Sequence, residues 1–134
     1  MDVARPFPQH TEYVSGSIKP NHVSQTQMDN DVRRIYDEWK ARYLTKNPKE
    51  SDQYYVFYNL EKTVEPENAV SSSEGHGYGM LATVVMVGHD SNAKTYFDGL
   101  YRFYKAHPSV YNSALMAWQQ VKDSKGNIID NRGH

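Results

Sequence analysis

The chain has 134 residues, which suffices for one domain or for part of one. Its 15 basic and 16 acidic residues give a formal net charge of −1, so the sequence lacks the basic patch expected of a nucleic-acid binder. It has no cysteine, which excludes disulfides, thiolate zinc sites and a cysteine nucleophile, and no apolar stretch long enough to span a bilayer. The 11 Tyr and 2 Trp suit sugar-lined clefts and ordinary cores alike.

Residues 1–23 are predicted to form an extended arm that lies over other parts of the fold, because they contain no periodic pattern. The breakers in this segment are Pro6, Pro8, Gly16 and Pro20. Its first five residues lack the basic start and apolar run of a signal peptide. An exported protein would therefore begin here at its mature end.

The first helix is predicted to start after Ser24. Ser24 and Gln27 have the spacing of a capping box, in which each side chain bonds the backbone N–H of the other residue. Apolar residues then recur at spacings of three and four and form one stripe. The stripe consists of Met28, Val32, Ile35, Tyr36, Trp39 and Tyr43. The helix is expected to end near Leu44.

Outside the helices we predict one strand, one loop and one hairpin. Residues 54–58 are rich in β-forming side chains and predict a strand. The polar residues 61–68, which include Pro66, predict a loop. Residues 114–129 predict an extended hairpin that turns at residues 123–127.

Two further helices are predicted over residues 73–87 and 92–106, and the second of them has an apolar stripe. Gly88 is expected to end the first of them, and Ser91 to cap the second. Because the link between them is short, the two helices should form an antiparallel hairpin.

The start of the second predicted helix is the most informative segment. It reads Ser73-Glu74-Gly75-His76-Gly77-Tyr78-Gly79-Met80. An acidic residue at a helix N-terminus has a structural explanation, because it complements the helix dipole. That explanation does not require the glycines, which cost about 1 kcal/mol each in a helix and would let a ligand approach the backbone. A structural and a catalytic interpretation of Glu74 are therefore both open at this point.

This segment resembles the signature of glycoside hydrolase family 8, which is usually Ser-Glu-Gly-Gln (or Met)-Gly-Tyr-Gly-Met (or Leu), with His76 at the variable position. Further segments are similar to the same family, and to its Bacillus-type members in particular. They are residues 18–23 (Ile-Lys-Pro-Asn-His-Val), 88–93 (Gly-His-Asp-Ser-Asn-Ala), 97–100 (Phe-Asp-Gly-Leu) and 115–118 (Leu-Met-Ala-Trp). The resemblance thus spans almost the whole chain.

The resemblance implies an all-α fold in which this chain forms the N-terminal part of an (α/α)6 barrel, with helical hairpins and short strands near the cleft. Residues 1–134 would be the N-terminal portion of a single catalytic domain, and residues 24–134 would supply its first helices and cleft-lining segments. A secreted, inverting enzyme is implied that cuts β-1,4-linked polysaccharide: chitosan, or β-1,3-1,4-glucan and cellulose-type glucans. Nothing in the resemblance calls for a cofactor, a metal, nucleic acid or a membrane.

By position, the resemblance gives Glu74 the role of general acid, the group that protonates the glycosidic oxygen. Trp118 would stack on a sugar ring, and the alternative is a core tryptophan on a strand. Tyr78 and His76 would contact the substrate, although a tyrosine packed between helices explains Tyr78 equally well.

The family's catalytic base and a sugar-binding acidic residue would lie beyond residue 134. We therefore expect the chain alone to be catalytically incomplete, with the C-terminal part of the same domain as its partner and with helix faces left uncovered. Within the chain, Asp90 is better explained as a turn or cap residue than as a base, and Asp98 as a solvated or hydrogen-bonded position. The alternative function is an inert carbohydrate-binding or structural fragment.

Other chemistries are disfavoured by the motifs. The six histidines show no His-Glu-x-x-His pattern or close pair that would bind a metal. The glycine run lacks the Gly-Lys-Ser/Thr ending of a phosphate loop. The serines at 71–73 lack the Gly-x-Ser-x-Gly elbow of a nucleophilic hydrolase.

Overall fold

The computed structural model describes residues 5–132, and within them the chain forms three α-helices and two small antiparallel sheets. The helices are α1 (Gln25–Tyr43), α2 (Ser73–Val85) and α3 (Ala93–Ala106), and a 3-10 turn at Met86–Gly88 follows α2. The strands are β1 (Leu44–Lys46), β2 (Tyr54–Val56), β3 (Ala69–Ser72), β4 (Gln119–Lys122) and β5 (Ile128–Arg132). The predicted helices are confirmed. Strands β2, β4 and β5 lie within or next to the segments predicted as strand or hairpin, whereas β1 and β3 were not predicted.

Helix α1 begins at the predicted cap. The Ser24 hydroxyl accepts a hydrogen bond from the Gln27 amide at 3.1 Å. The Gln27 side chain donates to Asp31 instead of reaching back to Ser24, so only half of the capping box forms. The helix ends at Tyr43 and the chain continues directly into β1, which pairs with β2.

Helices α2 and α3 form the predicted antiparallel hairpin. Early in α2, the His76 Nε2 donates to the Leu100 carbonyl in the second half of α3, at 2.9 Å. At the other end of the pair, Thr83 of α2 and Ala93 of α3 line the same surface pocket. Late residues of one helix therefore face early residues of the other.

The predicted Ser91 cap of α3 is wrong. The cap residue is Asn92, and its side chain makes no capping hydrogen bond. Asp90 organises this turn instead: its Oδ1 accepts from the Asn92 amide at 2.9 Å, and its carbonyl accepts from the Ala93 amide at 3.0 Å. The turn role expected for Asp90 is thus confirmed.

The larger sheet has the strand order β3-β4-β5, and both pairs are antiparallel. Its hairpin turns over residues 123–127 as predicted, because Asp123 Oδ1 accepts from the Lys125 and Asn127 amides at 2.9 and 2.8 Å. Strand β4 begins at Gln119, five residues later than the hairpin was expected to begin. Ser72, the last residue of β3, pairs with Gln119, the first residue of β4.

The core joins this sheet to the helical hairpin. Its central cluster contains Tyr55 of β2, Val70 of β3, Phe103 of α3 and Met116, which precedes β4. Phe103 is fully buried, and its ring stacks on that of Tyr55 with centroids 5.4 Å apart. Helix α3 is thereby packed against β2, β3 and the segment that precedes β4.

Residues 5–23 form the predicted arm, without helix or strand, and residues 1–4 lie outside the described part. The Phe7 amide donates to the Val85 carbonyl at 3.2 Å, and the Arg33 guanidinium lies over the Phe7 ring at 5.3 Å. Further along, His10 Nε2 lies 2.6 Å from Asp29 Oδ2 of α1. The arm therefore lies across the end of α2 and the side of α1.

Several large apolar side chains on α1 and α2 stay exposed. Ile35 is 56% exposed, Leu81 59% and Val84 49%. Exposed apolar side chains of this size are more than a soluble helix usually presents on its outer face. In the described residues 5–132, no helix has the length and apolarity needed to cross a membrane.

Candidate active site

Glu74 lies in the first turn of α2, directly after strand β3. Ser72 caps this helix, and its hydroxyl accepts from the Gly75 amide at 3.3 Å. The Glu74 side chain is exposed to solvent. Its carboxylate is therefore placed where it interacts favourably with the helix dipole, as the structural interpretation requires. It is also accessible, as a group that acts on a polymer must be.

Trp118 lies next to this helix start. The Ser73 amide donates to the Trp118 carbonyl at 2.9 Å, which continues the β3–β4 pairing by one step beyond Ser72 and Gln119. Trp118 is 39% exposed, so part of its indole is available at the surface. The structure thus places the backbone of Trp118 against the residue that precedes Glu74, although Glu74 and Trp118 are 44 positions apart in the chain.

Tyr78 lies one helical turn after Glu74, and residues four apart lie on the same face of a helix. It is 66% exposed. It also lines a groove between α1 and α2, together with Ile35 and Trp39. Tyr78 is therefore accessible beside Glu74, at the edge of an interhelical groove.

His76 points the other way, into the contact between α2 and α3. It is 1% exposed, and its ring stacks on Phe103 with centroids 5.2 Å apart. Its Nε2 donates to the Leu100 carbonyl, and burial lowers the pKa of His76 to about 4. This position gives the imidazole a packing role, and does not expose it to a sugar as the sequence-based interpretation expected.

The glycines of the signature do different things. A Cβ at Gly79 would collide with the Cγ2 of Val56 and would also press on the Trp39 ring, so this glycine lets α2 pack closely against β2 and α1. Nothing lies within 4 Å of a Cβ placed at Gly77, which is exposed. A Cβ at Gly75 would meet only the Ser72 hydroxyl, at 3.4 Å. Packing therefore requires glycine at Gly79 alone, whereas ligand access can account for glycine at Gly75 and Gly77.

Two acidic residues weighed as alternative bases have structural partners. Asp90 is 6% exposed and accepts from Lys40 Nζ at 2.6 Å and from the Tyr36 hydroxyl at 3.0 Å. Burial acts to raise the pKa of Asp90, but the hydrogen bonds from Lys40, Asn92 and Tyr36 outweigh it and the pKa lies below its ordinary value. Asp98 pairs with Lys94 of its own helix at 2.5 Å. Both carboxylates are engaged as the sequence interpretation expected.

Three of the described histidines each pair with one carboxylate. His10 pairs with Asp29, His89 with Asp37 and His107 with Asp130. Over residues 5–132, no three His, Asp or Glu side chains converge as metal ligands. His134 lies outside this part.

A polar network beside Trp118 was not predicted. Asp130 Oδ1 accepts from His107 Nδ1 at 2.9 Å and from Gln120 Nε2 at 3.3 Å, and Gln120 Nε2 also donates to the Ala117 carbonyl at 2.8 Å. His107 follows α3, Gln120 lies in β4 and Asp130 in β5, so no short sequence pattern predicts their contact. The available signal was the pair of glutamines in a segment predicted to form an extended hairpin.

The chain belongs to the glycosyl hydrolases of family 8, because the family model matches residues 6–133. It is 57% identical over 116 residues to a beta-glucanase of Niallia circulans, and 45% identical over 123 residues to an endoglucanase of a Bacillus species. These alignments cover 87% and 90% of this chain but only 26% of each relative. The chain thus spans about a quarter of the length of these curated relatives.

A solved structure also matches most of this chain while extending well beyond it. The apo structure of a beta-1,3-1,4-glucanase from Paenibacillus sp. X4 superposes with a TM-score of 0.78 at 56% sequence identity. The match covers 90% of this chain and 29% of that one. The fold described above is therefore part of a larger family architecture.

Proposed function

We propose that this chain is the acid-bearing N-terminal portion of an inverting endo-hydrolase of β-1,4-linked glucan, with Glu74 as the general acid. The observation that supports this most is the exposed Glu74 at the start of α2, with Trp118 fixed beside it by the Ser73–Trp118 hydrogen bond. A carboxylic acid next to an aromatic platform is the minimum arrangement for protonating a bound glycosidic oxygen.

In the proposed reaction, Glu74 gives its proton to the glycosidic oxygen as the C1–O bond breaks. A carboxylate on the opposite face of the sugar removes a proton from the attacking water, and in inverting enzymes the two carboxyl groups stand roughly 6.5–9.5 Å apart to leave room for that water. We assign that base to residues outside this chain, since Asp90 and Asp98 are held by Lys40 and Lys94.

Trp118 and Tyr78 are proposed as the substrate contacts of this chain. Both are exposed beside Glu74, and flat aromatic faces stack on the apolar faces of sugar rings. His76 supports the site from within, by packing α2 onto α3 through Phe103.

Mixed-linkage β-1,3-1,4-glucan is the proposed substrate, with cellulose-type glucans next. The names of the relatives support this choice: a beta-glucanase, an endoglucanase and a beta-1,3-1,4-glucanase. Chitosan, which the sequence resemblance placed beside mixed-linkage β-glucan, is tested after these two.

The rest of the family domain is the proposed partner of this chain. In an (α/α)6 barrel, further helices would cover the apolar surface around Ile35, Leu81 and Val84, which are about half exposed here. Residues 1–134 would then form one portion of a single catalytic domain of a secreted enzyme, with residues 1–23 as its arm.

The proposal is tested with the chain itself and with a chimera. In the chimera, residues 6–133 replace the matching portion of the Niallia circulans beta-glucanase, to which the chain is 57% identical. Reducing ends released from lichenan, carboxymethylcellulose, chitosan and xylan are measured, with Glu74→Gln and the exposed Glu50→Gln as a matched pair.

We expect Glu74→Gln to lower the rate of the chimera on lichenan by about 10²–10⁴-fold, the usual contribution of a general acid. Glu50→Gln should leave the rate unchanged. A Glu74→Gln chimera that keeps the parent rate would refute the acid assignment and favour the inert-fragment function. Activity of the isolated 134-residue chain would overturn the assignment of the base to residues outside it.

A further inference from the structure

The two glutamines that follow Trp118 are completely buried. Gln119 and Gln120 are each 0% exposed, although glutamine is normally a surface residue. A buried carboxamide destabilises the fold unless its polar atoms are hydrogen-bonded. Their partners therefore determine where this segment of chain can lie.

One set of partners holds the peptide that precedes Trp118. The Ala117 amide donates to the His107 carbonyl at 2.8 Å, and the Ala117 carbonyl accepts from Gln120 Nε2 at 2.8 Å. Asp130 links His107 to Gln120, because its Oδ1 accepts from His107 Nδ1 at 2.9 Å and from Gln120 Nε2 at 3.3 Å. Ala117 is thus fixed at both of its backbone polar groups.

A second set holds the chain after Trp118. Gln119 Nε2 donates to the Tyr58 hydroxyl at 2.9 Å, and Gln119 Oε1 accepts from Asn131 Nδ2 at 2.7 Å. The carbonyl of Trp118 accepts from the Ser73 amide at 2.9 Å. The backbone around Trp118 is therefore anchored at four places: His107 just after α3, Asn131 of β5, Tyr58, and the start of α2.

We propose that His107, Gln120 and Asp130 are positioning residues, which hold the Trp118 indole at the start of α2 so that it meets a sugar ring bound beside Glu74. We call these three residues the clamp. The reference to a sugar rests on the proposed function, whereas the positioning of Trp118 does not.

The physical chemistry of the clamp favours positioning over stability alone. Polar groups buried in a strand stabilise a fold less than apolar side chains of similar volume would. Gln120 also keeps its buried Oε1 without a hydrogen bond from the described residues, which is a cost to stability. The exposed Asp130 accepts from both His107 and Gln120 through one oxygen, and such a shared acceptor leaves their geometry few alternatives. Displacements of about 1 Å around a reacting group can change rates by about 10²-fold, so fixing a platform residue matters for function.

The test uses the fluorescence of Trp118 to report on the surroundings of its indole. The sequence contains 2 tryptophans, so a Trp39→Phe background leaves Trp118 as the single indole. In this background we compare Asp130→Ala with Asp130→Asn, which keeps the Oδ1 acceptor. Asp98→Ala is the control, since it removes a carboxylate paired on α3 with Lys94. Emission maximum, acrylamide quenching and the affinity for a mixed-linkage β-glucan tetrasaccharide are measured.

Asp130→Ala should shift Trp118 emission to longer wavelength, raise its quenching constant about twofold and weaken tetrasaccharide binding about tenfold. Asp130→Asn should restore the parent values, and Asp98→Ala should keep them. If Asp130→Ala does not fold, Gln120→Met, which also disconnects the Ala117 carbonyl, takes its place with the same expectations.

Parent-like emission and quenching in the folded clamp variant would overturn the proposal, even if its melting temperature falls, because they would show that the clamp only stabilises. If Asp130→Ala changes Trp118 emission in the chain but leaves the rate of the chimera on lichenan at the parent value, the clamp is supported and the proposed sugar site fails. The two failures are therefore distinguishable.

Discussion

The Ser73 amide donates a hydrogen bond to the Trp118 carbonyl at 2.9 Å. This single bond joins the start of α2, which presents Glu74, to the start of β4, which presents Trp118. A movement of the paired strands β3 and β4 would therefore displace the backbones at Glu74 and Trp118 together. The site therefore lies where the β3–β4 pair ends and α2 begins.

A side chain at Gly79 should destabilise the fold, because its Cβ would collide with Val56. We expect Gly79→Ala to lower the free energy of unfolding by about 1–3 kcal/mol, the usual effect of overpacking. Gly77→Ala is the control: its Cβ meets nothing within 4 Å, so the higher helix propensity of alanine should stabilise the fold by up to about 1 kcal/mol. Urea unfolding of both variants checks this, and equal effects would contradict the packing role of Gly79.

His76 should make the fold sensitive to mild acid. Burial lowers its pKa from 6.5 to about 4, so the unfolded chain takes up the proton first as the pH falls. Stability that is fully present above pH 6.5 should then be lost between pH 6.5 and 4, by up to about 3 kcal/mol. Unfolding free energies at several pH values measure the loss.

His76→Met should remove this pH dependence, since methionine fills similar space without titrating. His22→Gln, at an exposed position, should leave it intact. If His76→Met loses stability between pH 6.5 and 4 as steeply as the parent, another group is responsible.

Asp90 should stabilise the junction of α1 with the α2–α3 link while it is charged. Its pKa lies below its ordinary value, so its contribution is present above the unfolded pKa and is lost as the pH falls through the folded pKa. We expect Asp90→Asn to cost about 2 kcal/mol at pH 7 and much less near pH 2.5, because it loses the charged partner of Lys40. The check is denaturant unfolding at both pH values, with Asp98→Asn alongside. A cost independent of pH would rule out a charge effect.

Local patterns predicted most of the secondary structure. The Ser24 cap, the apolar stripe of α1 and the turn at Asp123 are properties of short segments, and each formed as expected. The Ser91 cap failed because α3 begins at Ala93, which puts Asn92 in the cap position, and the neighbouring Asp90 accepts from the Asn92 amide.

The site could be predicted only in part. The signature located Glu74 and pointed to Trp118, but it could not show which face of α2 each residue takes. His76 is buried because α3 supplies Phe103 and the Leu100 carbonyl, 24 or more positions away. The clamp likewise depends on the register of β4 with β5, which a sequence pattern does not specify.

Gly88 should be required for docking of the arm. A Cβ at this position would collide with the Phe7 carbonyl and with Pro6. We expect Gly88→Ala to release residues 5–10 while the helices stay folded, which limited proteolysis and amide hydrogen exchange would detect. The exposed Ser91→Ala serves as the control. Unchanged protection of the arm in Gly88→Ala would show that this close contact does not hold it.

The general-acid role of Glu74 is tested most directly by varying the leaving group in the chimera. A 2,4-dinitrophenyl β-cellobioside needs no proton to release its phenol, whereas lichenan does. We predict that Glu74→Gln lowers the rate on lichenan by about 10²–10⁴-fold and changes the rate on the dinitrophenyl glycoside only a few-fold. Equal losses on both substrates would contradict the account, since they would show that Glu74 contributes something other than a proton.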